Sequence, residues 1–171
     1  AQGRLLGRYQ LGQRLTTGGV VEGKTRRIYF PADDSCVYVL DVGRQRCETI
    51  LYSGHPSGSL RGEPLVVPPS KRQSGEVLPG YLILNQTRGL DAMELRAFKL
   101  PLTDRHAAPL KLTPPPRVAG WTWFQPSLDG EKLVVLSDAG MLGLFGIRQE
   151  GNIDQDLFPL LQPGGLELDP F

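Results

Sequence analysis

The 171 residues are enough for one sizeable core in one or at most two domains. The formal net charge is +1, with no aromatic-interleaved basic run and no stretch of about 18 apolar residues, so neither a nucleic-acid partner nor membrane insertion is expected. Glycine (21) and proline (15) exceed average usage and lie scattered between apolar runs, the punctuation of an all-β chain.

In chain order, residues 4–15 (RLLGRYQLGQRL) alternate weakly and end at the turn Thr16-Thr17-Gly18-Gly19, which predicts an outer strand left from a preceding unit. Val20-Val21 opens a first unit. Ile28-Tyr29-Phe30 and Val37-Tyr38-Val39-Leu40 are β-branched and aromatic runs, interrupted by Pro31 and the turn-forming Asp33 and Asp34, and so predict a hairpin. Asp41-Val42-Gly43-Arg44 is the next turn, with Gly43 suited to a positive φ, and Cys47 to Tyr52 runs back as a third strand. That register sets Cys47 opposite Leu40 and leaves Cys36 roughly 13 Å along the strand, too far for a disulfide, so two free thiols are expected.

A second unit follows Ser57-Gly58-Ser59. Pro64 to Val67 is a short strand, Pro68 to Pro79 a polar loop, Gly80 to Leu84 a strand and Asn85 to Asp91 a turn. Met93 to Leu100 sits in a stretch of good helix formers that Asp91 could cap, yet the repeat of the first unit favours a strand. Residues 101–117 are a proline-rich link. The third unit begins at Trp121, with an Asp-Gly hairpin turn at Leu128 to Glu131, strands at Leu133 to Leu136 and Met141 to Ile147, and an outer strand at Leu157 to Leu161.

Aligning Ile28, Leu82 and Val134 gives a period near 50 residues with several short strands per repeat, the sequence signature of a β-propeller. One such unit cannot bury both faces alone, so units must stack. GKTRRIYFPADDSCVYVLDV, GYLILNQTRGLDAMELRAFKL and DGEKLVVLSDAGMLGLFGI resemble the blades of the quinoprotein and related YVTN-type propeller superfamily. The resemblance implies blade architecture only. Propellers of that superfamily have seven or eight blades, whereas about three and a half fit here. Together with the missing initial Met, this leads us to expect part of a longer or processed chain.

A quinoprotein-type enzyme needs a catalytic carboxylate, calcium ligands and an aromatic platform, for which Asp33, Asp34, Asp138 and Trp123 can be nominated; acidic residues in hairpin turns are also ordinary turn residues. His55 and His106 are far apart in sequence, and Asn152 to Asp156 starts like a calcium loop but has Leu157 and Pro163 at the required Gly and Glu places. Asn85-Gln86-Thr87 is a glycosylation sequon in an expected surface turn. Trp121 and Trp123, two apart on one strand, would share a face. They would either pack between units or anchor a partner.

Residues 1–31 carry six basic residues against Glu22, whereas from Gln125 onward eight acidic residues face two basic ones. The basic end reads as a solvated face, or as one that meets the acidic end within one ring or between two chains.

The expectation is therefore an all-β, propeller-like array of antiparallel four-stranded blades, about three to four in an incomplete ring. It forms one domain over 1–171, with units at about 16–57, 58–117 and 118–162. The expected function is a non-catalytic binding or scaffold module, with Trp121 and Trp123 as binding residues and no cofactor or metal. Its partner is another protein, the rest of a longer chain or a second copy. The alternative is a propeller enzyme, a quinoprotein-type oxidoreductase or a metal-dependent hydrolase, of which this chain is a part.

Overall fold

In the computed structural model, three successive stretches of chain each fold into a four-stranded antiparallel sheet. The structure describes residues 8–23, 25–53, 59–103, 105, 107 and 117–147, the backbone alone at Asp34, and the backbone of 157–159. The first sheet contains β1 (Val20–Glu22), β2 (Arg27–Ala32), β3 (Cys36–Asp41) and β4 (Arg46–Tyr52). The second starts at β5 (Leu65–Val67), and a small hairpin of β6 (Ser70–Lys71) and β7 (Val77–Leu78) follows. The sheet resumes with β8 (Tyr81–Arg88), β9 (Ala92–Lys99) and β10 (Arg117–Ala119). The third holds β11 (Ser127–Asp129), β12 (Lys132–Leu136), β13 (Leu142–Ile147) and β14 (Leu157–Pro159). Each sheet runs in chain order and none closes on itself.

The second sheet lies in the middle. Tyr81 and Ile83 of β8, with Met93, Leu95 and Ala97 of β9, pack on Leu133, Val135, Phe145 and Ile147 of the third sheet. The intervening Leu82 and Leu84, with Phe98, pack on Tyr29, Val37, Val39 and Leu51 of the first. Because successive strand side chains point to opposite faces, a strand buried on both sides must be apolar without interruption, as Tyr81-Leu82-Ile83-Leu84 is. The same alternation makes Ala92–Lys99 a strand despite its helix formers: only period two sends Met93, Leu95 and Ala97 to one core and Phe98 to the other.

Five expectations are corrected by this packing. Residues 8–15 form no strand beyond an isolated bridge from Leu15 to Ala32; Tyr9 and Leu11 instead cover Ala32, Tyr38 and Leu40 on the outer face of the first sheet. The loop 68–79 contains the β6–β7 hairpin. β8 continues through Arg88 to a tight turn at Gly89 (φ 74°), because β9 offers backbone partners that far; the sequon Asn85 is therefore buried in a strand, 3% exposed. The link ends early, since β10 begins at Arg117, and the border expected between 117 and 118 falls inside that strand. The third unit is also displaced by one residue. Leu82 faces the preceding sheet, and in the third sheet Leu133 does so, not Val134.

The β3–β4 turn differs from its expectation in detail. The left-handed position is Gln45 (φ 52°), not Gly43, while the Asp41 carboxylate accepts the Arg44 N–H at 2.9 Å. Leu40 pairs with Cys47 as the register predicts, and a bulge at Glu48 restores Val39 to Thr49. Glu48 there meets Arg27 at 2.6 Å. Neither Cys36 nor Cys47 forms a disulfide; burial pushes the Cys47 thiol up, which lowers its thiolate fraction at neutral pH. Among the described residues, no helix is long and apolar enough to cross a membrane.

Two outcomes follow. Leu82→Ala, at a fully buried site in the middle sheet, should cost about 3 kcal/mol of unfolding free energy in urea titration. The Arg44 N–H, then that of Gly43, holds the Asp41 carboxyl below its ordinary value, so its contribution is present above the unfolded pKa and fades as pH falls through the lowered folded value. The gap in urea midpoint between the native chain and Asp41→Ala should thus be open at about pH 6 and narrow towards about pH 2.5; a gap that stays constant would refute the assignment.

Candidate functional site

Each sheet is entered by a segment that first returns to its second strand and then steps out of register. Leu15 bridges Ala32, Leu60 bridges Gln86, and the Trp121 carbonyl accepts the Asp138 N–H at 2.7 Å. Measured against the pairs Val20–Tyr29, Leu65–Ile83 and Ser127–Val134, the register shifts by the same two residues in all three. The extra residues bulge out at one end of the sheets, and the bulges lie side by side. A Cβ on Gly18 would stand 3.1 Å from Glu63 Oε1, and Gln125 Nε2 donates to the Pro64 carbonyl at 2.7 Å.

Trp121 and Trp123 lie in the third of these segments, between β10 and β11, and not on a strand as expected. Their rings do not share a flat face; they meet edge to face, with centroids 6.2 Å apart and planes at 77°. The Arg61 guanidinium, from the neighbouring segment, lies 5.0 Å from the Trp121 ring centre and 5.6 Å from that of Trp123, within cation–π range. Trp121 is half-buried and forms the base, and its Nε1 is buried without a hydrogen-bond partner. Trp123 is 48% exposed and Phe124 69%.

The segment is held rigidly. Asp138 Oδ1 accepts the Trp121 N–H at 2.7 Å, so Asp138 clamps both polar backbone groups of that residue. Gly120 has φ 79°, and a Cβ there would lie 2.7 Å from both Ala139 Cβ and Asp138 Oδ1. Buried Thr122 donates to the Phe124 carbonyl at 3.3 Å. Asp138, nominated as a catalytic carboxylate, therefore has a positioning job.

Asp33 does not join this cluster. Asp33 lies in the short 3-10 turn after β2, and the Asp34 side chain, His55, His106 and Asn152 to Asp156 lie outside the described residues. No group of three metal-ligating side chains occurs among the described residues. A pocket of about 300 Å³ opens near the far end of β1, lined by Val20, Val21, Glu22, Gly23, Val66, Pro68 and Pro69. Its carboxylate is engaged, since Glu22 Oε2 accepts the Tyr29 hydroxyl at 2.7 Å; burial, then that bond, pushes the Tyr29 pKa well up.

Sequence reading found the two tryptophans but missed Arg61, Phe124 and the Asp138 clamp. Phe124 was legible as the end of the run Trp121-Thr122-Trp123-Phe124. Arg61 carries no local signal, because its partners come from another unit.

The chain has two tryptophans, both in this cluster, so selectively excited tryptophan fluorescence reports on it alone. Gly120→Ala should shift the emission maximum and raise acrylamide quenching while far-ultraviolet circular dichroism stays that of the native sheets. An unchanged spectrum would refute the clamp.

No protein-family model, curated protein or solved structure matches the chain.

Proposed function

We propose that the chain is a non-catalytic binding module, an open propeller-like array of blades that docks another protein at the end carrying the bulged segments. The observation that carries this reading is Trp123 and Phe124, two large exposed rings on a hydrogen-bonded segment beside Arg61. Rigid aromatic residues with arginine are the composition of interface hot spots, because they bury much area at little loss of side-chain freedom. Trp121 serves as the fixed base on which the Trp123 ring and the guanidinium rest.

The blade reading is supported by four-stranded meanders in chain order, stacked face to face, with the first strands β1 and β5 adjacent. The repeated register step at each entry supports it further. Kinship with the quinoprotein and YVTN-type propellers belongs to the same proposal and rests on the same three units. Val134, Leu136, Leu142 and Leu144 share the face of the third sheet turned away from the middle sheet. That face suits a further blade, from the rest of a longer chain or from a second copy.

A photoreactive phenylalanine analogue in place of Phe124 should capture one defined protein repeatedly, while the same analogue at exposed Val77 should not. With that protein purified, Trp123→Ala should weaken binding by about 30-fold or more, the scale of a hot-spot truncation. Equal capture at both positions, or unchanged affinity, would overturn the proposal. Light scattering at several concentrations tells whether the captured partner is a second copy.

A further inference from the structure

We propose that Arg88, Arg96 and Arg117, gathered around Glu94 on the middle sheet, form a binding site for an oxyanion of the phosphate or carboxylate class. The inference is independent of the aromatic cluster.

The strand register brings the four residues together. Glu94 and Arg96 are two apart on β9 and so share a face, and Arg117 of β10 is directly opposite Glu94. Gln86 of β8 is opposite Glu94 on the other side, and Arg88 lies two residues beyond it. By period two all of these point to the side of the sheet that also carries Leu84 and Phe98, facing the first sheet. The cluster sits at the edge strand β10, beside the β8–β9 turn.

The site carries an excess of charge that structure alone does not require. The Glu94 side chain is 9% exposed, and a carboxylate so far removed from water needs a charged partner. Arg96, itself 19% exposed, provides one, with Nη1 at 3.6 Å from Oε1. Two more guanidinium groups nevertheless converge on the other oxygen: Arg88 Nε is 3.5 Å and Arg117 Nε 3.4 Å from Oε2. The four side chains together sum to a formal charge of about +2 and are gathered by strand register.

The geometry says what kind of ligand fits. Arg88 and Arg117 meet Glu94 through Nε, and their side chains are 47% and 54% exposed, which leaves guanidinium surface open to a ligand. Neither arginine makes an ion pair with another described carboxylate. Two planar forks fixed about a shared oxygen suit a ligand with two or more terminal oxygens, which can accept from both. Glu94 is then the tether that aims the forks, and its own negative charge opposes the ligand.

That opposition gives a test with a sign. Titration calorimetry of the full chain with inorganic phosphate, at fixed ionic strength, should show saturable binding. Arg88→Ala/Arg117→Ala should weaken it by about tenfold or more, and Arg72→Ala, which removes an exposed arginine paired with Glu76 elsewhere, should leave it unchanged. Arg88→Lys/Arg117→Lys keeps the charge but loses the forks and should fall in between. Glu94→Gln should bind phosphate several-fold more tightly, which a purely structural cluster would not do. Parallel titrations with phosphoserine and acetate separate a phosphoryl group on a side chain, free phosphate and a carboxylate. Absence of saturable binding for all three probes, or equal binding by the native chain and the Arg88→Ala/Arg117→Ala variant, would overturn the proposal. The double variant keeps its fold, because half-exposed ion pairs contribute little to stability.

Discussion

The rest of the structure depends on the middle sheet being apolar on both faces. Tyr81 to Leu84 supplies two cores at once, Tyr81 and Ile83 to one side, Leu82 and Leu84 to the other. Burial of a single large apolar side chain is worth about 2 kcal/mol, so a sheet with two such faces is stable only when both are covered. The first and third sheets are those covers. Each in turn acquires an outer face, which the segment 8–15 covers at the first sheet through Tyr9 and Leu11.

Much of this arrangement was legible in the sequence, for physical reasons that differ by element. The hairpin over Ile28 to Leu40 is plain because β-branched runs flank a proline and two aspartates, and its register even set Cys47 opposite Leu40. The strand at Ala92–Lys99 required the repeat to override its helix formers, and the period-two burial agrees. What stayed hidden depends on partners distant in sequence. Nothing within Asn85 to Arg88 says that β9 will extend to pair with it, and Leu133 and Val134 are equally apolar, so the one-residue displacement of the third unit is invisible until the middle sheet selects a face. At the candidate site the same distinction holds. The tryptophans announce themselves, whereas the arginine over them and the four charged residues on the middle sheet meet only through folding.

Both proposed sites lie towards the end of the sheets where the bulged segments emerge. The β8–β9 turn and the tryptophan segment are joined there by the Gly120 N–H to the Asp91 carbonyl at 2.7 Å. The aromatic cluster offers apolar area and the arginine cluster offers charge, the two kinds of contact that supply affinity and orientation respectively. The pocket beside β1 is lined by that strand and by residues of and after β5, with its glutamate engaged by Tyr29.

The register step at each entry also bears on how such a chain tolerates change. The bridge to the second strand and the pairing of the first strand are separate anchor points, and the residues between them lie outside the ladder. The third entry already uses this slack: Trp121 precedes Ser127 by one residue more than Leu60 precedes Leu65, yet the two-residue step is the same. Insertions and deletions at these points are absorbed before they reach the pleat, so the units can diverge in length and surface chemistry while every core residue keeps its face.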